Sequence, residues 1–251
     1  MEWADEGIVL SVRKHGEHAV IATLLTPSHG RHAGLVRGGS GRRLRGALQV
    51  GNRLRVNWRA RLPEHLGNFS CELVEARSAT VLHDGRRLAG FTAAASLLDR
   101  ALPERETQEE IYAGFDALLD DIANQSKWPE TYVRWEINLL RELGFGLDLS
   151  VCAVTGGSED LEYVSPRSGR AVCRDAAGEY RDRLLPLPRF LTAAGRDDSP
   201  TAIEIAAGLT LSGYFLKEHV LHPASSAQIP AARIRLLDIF QRDTTKSSNI
   251  P

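Results

Sequence analysis

An α+β chain is predicted from three features of the sequence. Up to about residue 76, apolar side chains recur at every second position between clusters of turn residues, the pattern of five short strands in a small barrel or sandwich. Beyond Ser78 the apolar spacing becomes three and four, the period of helices packed on one face. Between about 146 and 184 the helical period lapses, glycines accumulate, and a hairpin-like stretch interrupts the helices.

The strands follow in order. "GIVLSVR" (7–13) places Ile8, Leu10 and Val12 on one face, and "HAVIATLL" (18–25) is dense in β-branched and apolar residues. "TPSHGR" (26–31) supplies turn chemistry before a short strand at "HAGLVRG" (32–38). "GNRLRVNWRAR" (51–61) alternates without a break, and "NFSCELVEA" (68–76) completes the set. Five is the strand count of the OB-fold, a partly open barrel that binds single-stranded nucleic acid, although SH3-like barrels have a similar number.

Leu88, Phe91, Ala95, Leu98 and Leu102 then mark an amphipathic helix ended by Pro103. Ile111, Phe115, Leu118 and Ile122 repeat the spacing in a second. Pro129 suits the first turn of a third, which carries Val133, Ile137 and Leu140 and stops at Gly144. "LEYVSPRSGRAVC" (161–173) reads as a hairpin. "PTAIEIAAGLTLSGYFLKEHVL" (200–221) is a long apolar helix, a shorter one follows at 231–241, and 242–251 is expected to fray.

The composition, 43% apolar and 25% charged over 251 residues, is that of a soluble globular protein. No apolar run approaches the ~20 residues that span a bilayer. The acidic start "MEWADEGIVL" has no signal-peptide pattern. Cys71, Cys152 and Cys173 are too few and too scattered for a disulfide framework, so reduced thiols in the cytoplasm are expected.

The net charge of −1 averages two unlike parts. Residues 1–80 hold twelve basic and seven acidic side chains, and the remainder holds nineteen and twenty-five. Residues 31–61 contain nine arginines, and no Asp or Glu occurs from His18 to Pro63. In the strand, Leu54, Val56, Trp58 and Ala60 point one way, and Arg53, Arg55, Asn57, Arg59 and Arg61 the other, at steps of roughly 6.7 Å. The glycine-rich "RGGSGRRLRG" (37–46) adds Arg37, Arg42, Arg43 and Arg45 on what reads as a mobile loop. Guanidiniums engage phosphate bidentately, and a polyanion releases counterions on such a surface. The loop itself is no nucleotide cradle, because "GGSGRR" lacks the Gly-Lys-Ser/Thr of a phosphate loop. Nor is Ser40 a nucleophile elbow, since Arg42 stands where its last glycine is needed.

The irregular region carries half of a zinc pattern. "CAVT" and "CRDA" keep Cys152 and Cys173 but place Thr155 and Ala176 where a second pair of thiolates belongs. Two ligands do not hold zinc, so no metal is expected, and packing around Tyr163, Val164 and Val172 must hold the hairpin. Glu109–Glu110 and Asp120–Asp121 read as solvated helix charge, and His219 as a packed or capping residue. With no nucleophile–base pair or metal triad in the pattern, a binding protein is expected rather than an enzyme.

Taken together, "GIVLSVRKHGEHAVIATLLTPSHGRHAGLVRGG", "GALQVGNRLRVNWRARL", "CAVTGG…YVSPRSGRAVC" and "LSGYFLKEHVL" resemble the RecO family of bacterial recombination mediators over nearly the full chain. The resemblance implies an N-terminal OB-fold barrel at 1–77 and an α-helical domain at 78–251. It also implies a zinc-ribbon-like insertion at about 147–184, metal-free here because of Thr155 and Ala176. It implies binding of single- and double-stranded DNA, annealing of complementary strands, and no cofactor. The implied partners are RecR, the acidic C-terminal tail of single-strand-binding protein, and RecA, which the family helps load onto coated strands. The implied location is cytoplasmic, at the nucleoid. Carried over, the DNA surface is Arg37, Arg42, Arg43, Arg45, Arg53, Arg55, Arg59 and Arg61. The tail needs an apolar groove beside a cation, for which Phe215 and Lys217 are candidates. Two other classes compete with this reading: an adaptor that binds acidic protein tails through the basic barrel, and a nuclease or nucleotide hydrolase. The second lacks metal-ligating carboxylates in the sequence.

Overall fold

The computed structural model describes residues 1–195, 199–221 and 228–247, with side chains described up to 243 in the last segment. Two compact units form, one from Met1–Gln125 with Pro230–Arg233, the other from Ser126–Ile229 with most of the final helix.

In the first unit five strands close a barrel: β1 (Glu2–His15), β2 (Ala19–Thr26), β3 (Gly30–Val36), β4 (Arg53–Arg59) and β5 (Asn68–Glu75). They are ordered β1-β2-β3-β5-β4, with β3 and β5 parallel and all other neighbours antiparallel. This is the five-stranded OB architecture. A short helix α1 (Arg42–Ala47) joins β3 to β4. Val9, Ala22, Leu24, Val36, Leu54, Val56, Trp58 and Phe69 fill the interior, together with Ala47 and Leu48 at the end of α1.

The alternation read at 53–60 holds, with Leu54, Val56 and Trp58 buried and Arg55, Asn57 and Arg59 exposed. That read at 7–13 does not. A register shift between Val9 and Ser11 turns Val9 and Val12 inward, and leaves Ile8 and Leu10 on the outer side. Those two are buried as well, because α3 (Gly85–Ala101) packs on β1. The close approach is made at Gly51, whose φ is +85°; a Cβ there would lie 2.5 Å from the Phe91 ring. At Gly67, with φ +66°, a Cβ would lie 2.3 Å from the Trp58 indole nitrogen, which donates instead to the Leu66 carbonyl. Asp84 caps α3 by accepting from the backbone N–H of Arg86 and Arg87. Two further helices complete the unit, α2 (Arg77–Val81) and α4 (Glu109–Asn124).

The second unit contains α5 (Trp128–Glu142), β6 (Leu161–Val164), β7 (Ala171–Cys173), α6 (Arg174–Ala177), β8 (Leu185–Pro186), α7 (Ala202–Phe215) and most of α8 (Ala231–Ser247). Pro129 sits in the first turn of α5, and Gly144 follows its end at φ +89°, as the spacing predicts. β6 lies between β7 and β8 and buries Tyr163 and Val164 beside Val172, the packing expected of a hairpin without metal. α5 packs on α7, where the hydroxyl of Ser212 donates to the buried carboxylate of Glu136. The helix predicted for 200–221 changes character part-way, continuing from Leu216 to Leu221 as a π-helical turn. α8 extends to Ser247, so residues 242–247 are helical where fraying was expected; 248–251 lie outside the described residues. Among the described residues no helix is long and apolar enough to cross a membrane.

One buried polar group in the barrel has a measurable consequence. His32 faces inward from β3 among Trp3, Trp58 and Phe69, and neither ring nitrogen meets a hydrogen-bond partner. Burial, and then the charges of Arg105 and His29, push its pKa down to about 4. The unfolded chain therefore takes up a proton near pH 6.5, while the folded chain does so only near pH 4. This contribution is absent above pH 6.5 and destabilises progressively as the pH falls from 6.5 to 4. Chemical denaturation of the wild type and of His32→Phe should show a wild-type loss over that range larger by up to about 3 kcal/mol. Equal losses would mean that the imidazole is not held neutral.

Candidate nucleic-acid interface

β4 is the centre of the basic surface read in the sequence, and the barrel decides what surrounds it. On one side Glu2 stands opposite Arg59, Ala4 opposite Asn57 and Glu6 opposite Arg55. On the other, Glu75 stands opposite Arg53, Glu72 opposite Arg55, Ser70 opposite Asn57 and Asn68 opposite Arg59. Arg55 pairs with Glu6 at 3.3 Å and with Glu72 at 3.8 Å. Arg53 goes further. One of its nitrogens reaches both carboxylate oxygens of Asp116 in α4, at 2.7 and 2.8 Å, and Glu75 lies at 3.8 Å. Burial opposes the charge of Arg53, but Asp116 and Glu75 outweigh it and raise the pKa above the ordinary arginine value.

The expectation that carboxylates are kept away from the arginine strand is therefore corrected. The acid-free window is a property of the sequence, and pairing in a sheet brings together residues far apart in the chain. Glu2 and Glu6 precede the window, Glu72 and Glu75 follow it, and Asp116 comes from a later helix. The same acids hold Arg77, which is 4% exposed and lies 3.0 Å from Glu75, 2.6 Å from Asp116 and 3.1 Å from Asp120. Asp120, expected to be solvated, is part of this cluster. Arg31 is structural too. Its Nε donates to the Leu102 carbonyl at 2.8 Å, and Asp99 and Glu104 lie at 3.4 and 3.6 Å.

Seven of the eight arginines singled out in the sequence remain exposed, Arg53 being the exception. Beside the carboxylate-paired Arg55 these are Arg37, Arg42, Arg43, Arg45, Arg59 and Arg61. None of these last six is paired with a carboxylate of the described residues. Four of them flank or belong to α1, and here the mobile-loop expectation is corrected as well. Ser40 N–H donates to the His18 carbonyl, Gly41 N–H to Gly38 and Arg45 N–H to Gly41, so the segment is tied down before and within the helix. Leu44, Ala47 and Leu48 turn into the barrel core, which leaves Arg42, Arg43 and Arg45 outside. The glycines suggested mobility, but the apolar spacing of three and one at 44, 47 and 48 was the overlooked sign of a helical turn.

Beside α1 runs a groove of about 640 Å³ lined by Arg37, Leu44, Asn57, Arg59, Asn68 and Ser70, among others. A second groove, of about 800 Å³, shares Leu44 and Cys71 with it and is lined by Arg42, Arg43 and Glu72. Arginines line both grooves, and the first adds the amide and hydroxyl groups of Asn57, Asn68 and Ser70, groups suited to a phosphate chain. One carboxylate stands in each, Glu2 in the first and Glu72 in the second. Arg13 and Lys14 are exposed at the β1–β2 hairpin, whose His18 carbonyl receives the Ser40 bond, and sequence reading passed over them. Their signal was two cations immediately before the turn at Gly16, in the loop that OB-folds use for ligands. The outer faces of β1 and β2 are closed to such a role, because Ile8, Leu10, Ile21 and Leu25 are buried there.

In the second unit the candidate pair Phe215 and Lys217 is not presented as expected. Lys217 is exposed, with Glu218 4.0 Å away, but Phe215 is 1% exposed and its ring is covered by that of His219. His219 stacks on Phe215 and Phe145 but is itself exposed, so the expectation of a packed residue holds for its ring contacts and not for burial. At the degenerate zinc pattern the donor set does not fit the metal. Thr155 lies 3.8 Å from the Cys173 sulfur as a hydroxyl, Ala176 offers no donor, and no group of three or more metal-ligating side chains converges among the described residues. Glu109 and Glu110 lie exposed in the first turn of α4, where the helix dipole favours them.

Comparison with known proteins adds to this geometry. The family model described as "Recombination protein O N terminal" matches residues 1–77, and "Recombination protein O C terminal" matches residues 82–228. A "DNA repair protein RecO" of Roseobacter denitrificans is 48% identical over 242 residues, covering 96% of this chain and 99% of the relative. Another, from Rhodospirillum centenum, is 49% identical over 253 residues, covering 100% and 99%.

The arginines divide into two classes that a stability measurement should separate. Arg77→Leu leaves Glu75, Asp116 and Asp120 facing one another and should cost about 3 kcal/mol in urea denaturation. Arg42→Ala and Arg43→Ala should each change stability by less than about 0.5 kcal/mol. A reversed ranking would overturn the division.

Proposed function

The chain belongs to the RecO family, and from that premise we propose that it acts in recombinational DNA repair as a DNA-binding mediator and not as an enzyme. It binds single- and double-stranded DNA, anneals complementary strands and, with RecR, helps load RecA onto strands coated by single-strand-binding protein. The observation that carries this reading is the unpaired arginine surface around α1, formed by Arg37, Arg42, Arg43 and Arg45 with Arg59 and Arg61 at the end of β4. The proposed division of labour places DNA on the barrel of residues 1–77 and the tail of single-strand-binding protein on residues 78–251, which carry the insertion at about 147–184. The proposed location is the cytoplasm, at the nucleoid.

The mechanism needs no bond to be made or broken. Two single strands repel through their phosphates, and that repulsion slows the search for complementary register. Guanidiniums spaced along adjacent grooves neutralise phosphates of both strands while leaving the base edges free to pair. Arginine suits this better than lysine, because its fork holds a phosphate bidentately and its plane stacks on bases. Arg53 and Arg55 are engaged by carboxylates and contribute less than Arg37, Arg42 and Arg43. The tail of single-strand-binding protein, acidic with apolar end residues, requires a cation such as Lys217 next to apolar surface other than the buried Phe215.

The test is annealing of complementary oligonucleotides, with and without single-strand-binding protein, alongside a salt titration of single-strand affinity. The triple variant Arg37→Ala, Arg42→Ala, Arg43→Ala should anneal more slowly. Its log–log salt slope should be shallower by about 2, from roughly 0.7 per lost phosphate contact. Arg53→Ala should leave the slope nearly unchanged. An unaltered slope in the triple variant would reject the site, and an acidic peptide binding as tightly as DNA at matched salt would favour the tail-binding adaptor.

A further inference from the structure

We propose that Cys152 and Cys173 form a redox-active dithiol that a hydroperoxide converts into an intramolecular disulfide. The two residues are buried, at 1% and 9% exposed, and take no part in the DNA surface. They are brought together by backbone pairing: Ala153 N–H donates to the Ala171 carbonyl at 2.7 Å, which fixes the turn 152–157 against β7. Cys173 N–H then donates to the Cys152 sulfur at 3.2 Å. The Thr155 hydroxyl lies 3.8 Å from the Cys173 sulfur. The contact of the Cys173 N–H with the Cys152 sulfur makes the two residues direct neighbours.

The environment prepares Cys152 as the attacking group. Burial works against its thiolate, but the Thr155 hydroxyl and the backbone N–H groups of Cys173, Thr155 and Val154 outweigh burial and lower the pKa below the ordinary thiol value. Cys71, in the barrel, shows the opposite case, with burial alone pushing its thiol up to about 11. The turn of Thr155, Gly156 and Gly157 that follows Cys152 is exposed.

In the first step the Cys152 thiolate attacks one oxygen of the hydroperoxide and the O–O bond breaks. Cys152 becomes a sulfenic acid, and the departing alkoxide or hydroxide takes a proton from water. In the second step the Cys173 sulfur attacks the Cys152 sulfur. The S–O bond breaks, and hydroxide leaves with the Cys173 proton as water. The two sulfurs together give up two electrons, which reduce the O–O bond, and a dithiol reductant reverses the reaction. The product ties the turn at 152 to β7 covalently, at the place where a zinc ion would do so if all four ligands were present.

The experiment treats the purified full chain with hydrogen peroxide, alkylates the remaining thiols after denaturation, and maps peptides without reduction. The expected result is loss of two of the three thiols, a peptide pair joined through Cys152 and Cys173, and Cys71 still alkylated. Cys152→Ser and Cys173→Ser should each abolish the bridge. Thr155→Val, which keeps both thiols, should slow its formation several-fold. Three findings would overturn the proposal: Cys71 in the bridge, Cys152 oxidised while Cys173 stays free, or oxidation at the same rate in Thr155→Val.

Discussion

Closure of the five-stranded barrel is the constraint on which the surface chemistry of this protein depends. Once β4 is placed between β1 and β5, each of its outward side chains has a neighbour on both sides, and those neighbours are rich in glutamate. The row of guanidiniums is converted from a repulsive ladder into a lattice of alternating charge. Its inner end is drawn into a half-exposed cluster with Asp116 and Asp120 around the buried Arg77. That cluster binds α4 to the barrel within the same unit, so arginine does two kinds of work here. Where helices press on the barrel it is a structural cross-link, and where α1 projects it stays available to solvent and ligand.

Much of this fold was legible in the sequence because its strands and helices carry their own periods. The inward set Leu54, Val56 and Trp58 could be read directly, as could the helix start at Pro129 and its stop at Gly144. The reading broke down where local pattern and tertiary setting disagree. β1 is buried on both faces and bulged, so alternation could not say which of Ile8 and Val9 faces the core. α1 is too short to show a period, and its glycines mimic a flexible linker. Above all, a run without acids says nothing about which acids lie across the sheet. Arg37, Arg42, Arg43 and Arg45 were recognised for their charge alone, and only the fold shows why they differ from Arg53.

The hairpin region of the second unit is held together by packing and backbone pairing rather than by metal ligands. With Thr155 and Ala176 in place of thiolates, the hairpin is held by Tyr163, Val164 and Val172 and by the backbone pairing of residues 153 and 171. The N–H groups that surround the Cys152 sulfur persist in that arrangement. Donors that would serve a metal-bound thiolate serve a free one equally well.

The six residues of α1 have further significance for how the basic surface comes into being. A helix of that length has no stability of its own in water, and Gly41 provides no side-chain cap for it. It exists because Leu44, Ala47 and Leu48 are drawn into the barrel, so the position of every cation around it is inherited from apolar contacts on its hidden side. The arrangement of these charges is in this sense a cooperative property of the folded interior. A chain whose barrel has loosened would keep all its positive charge and yet lose the spacing that makes the charge a site.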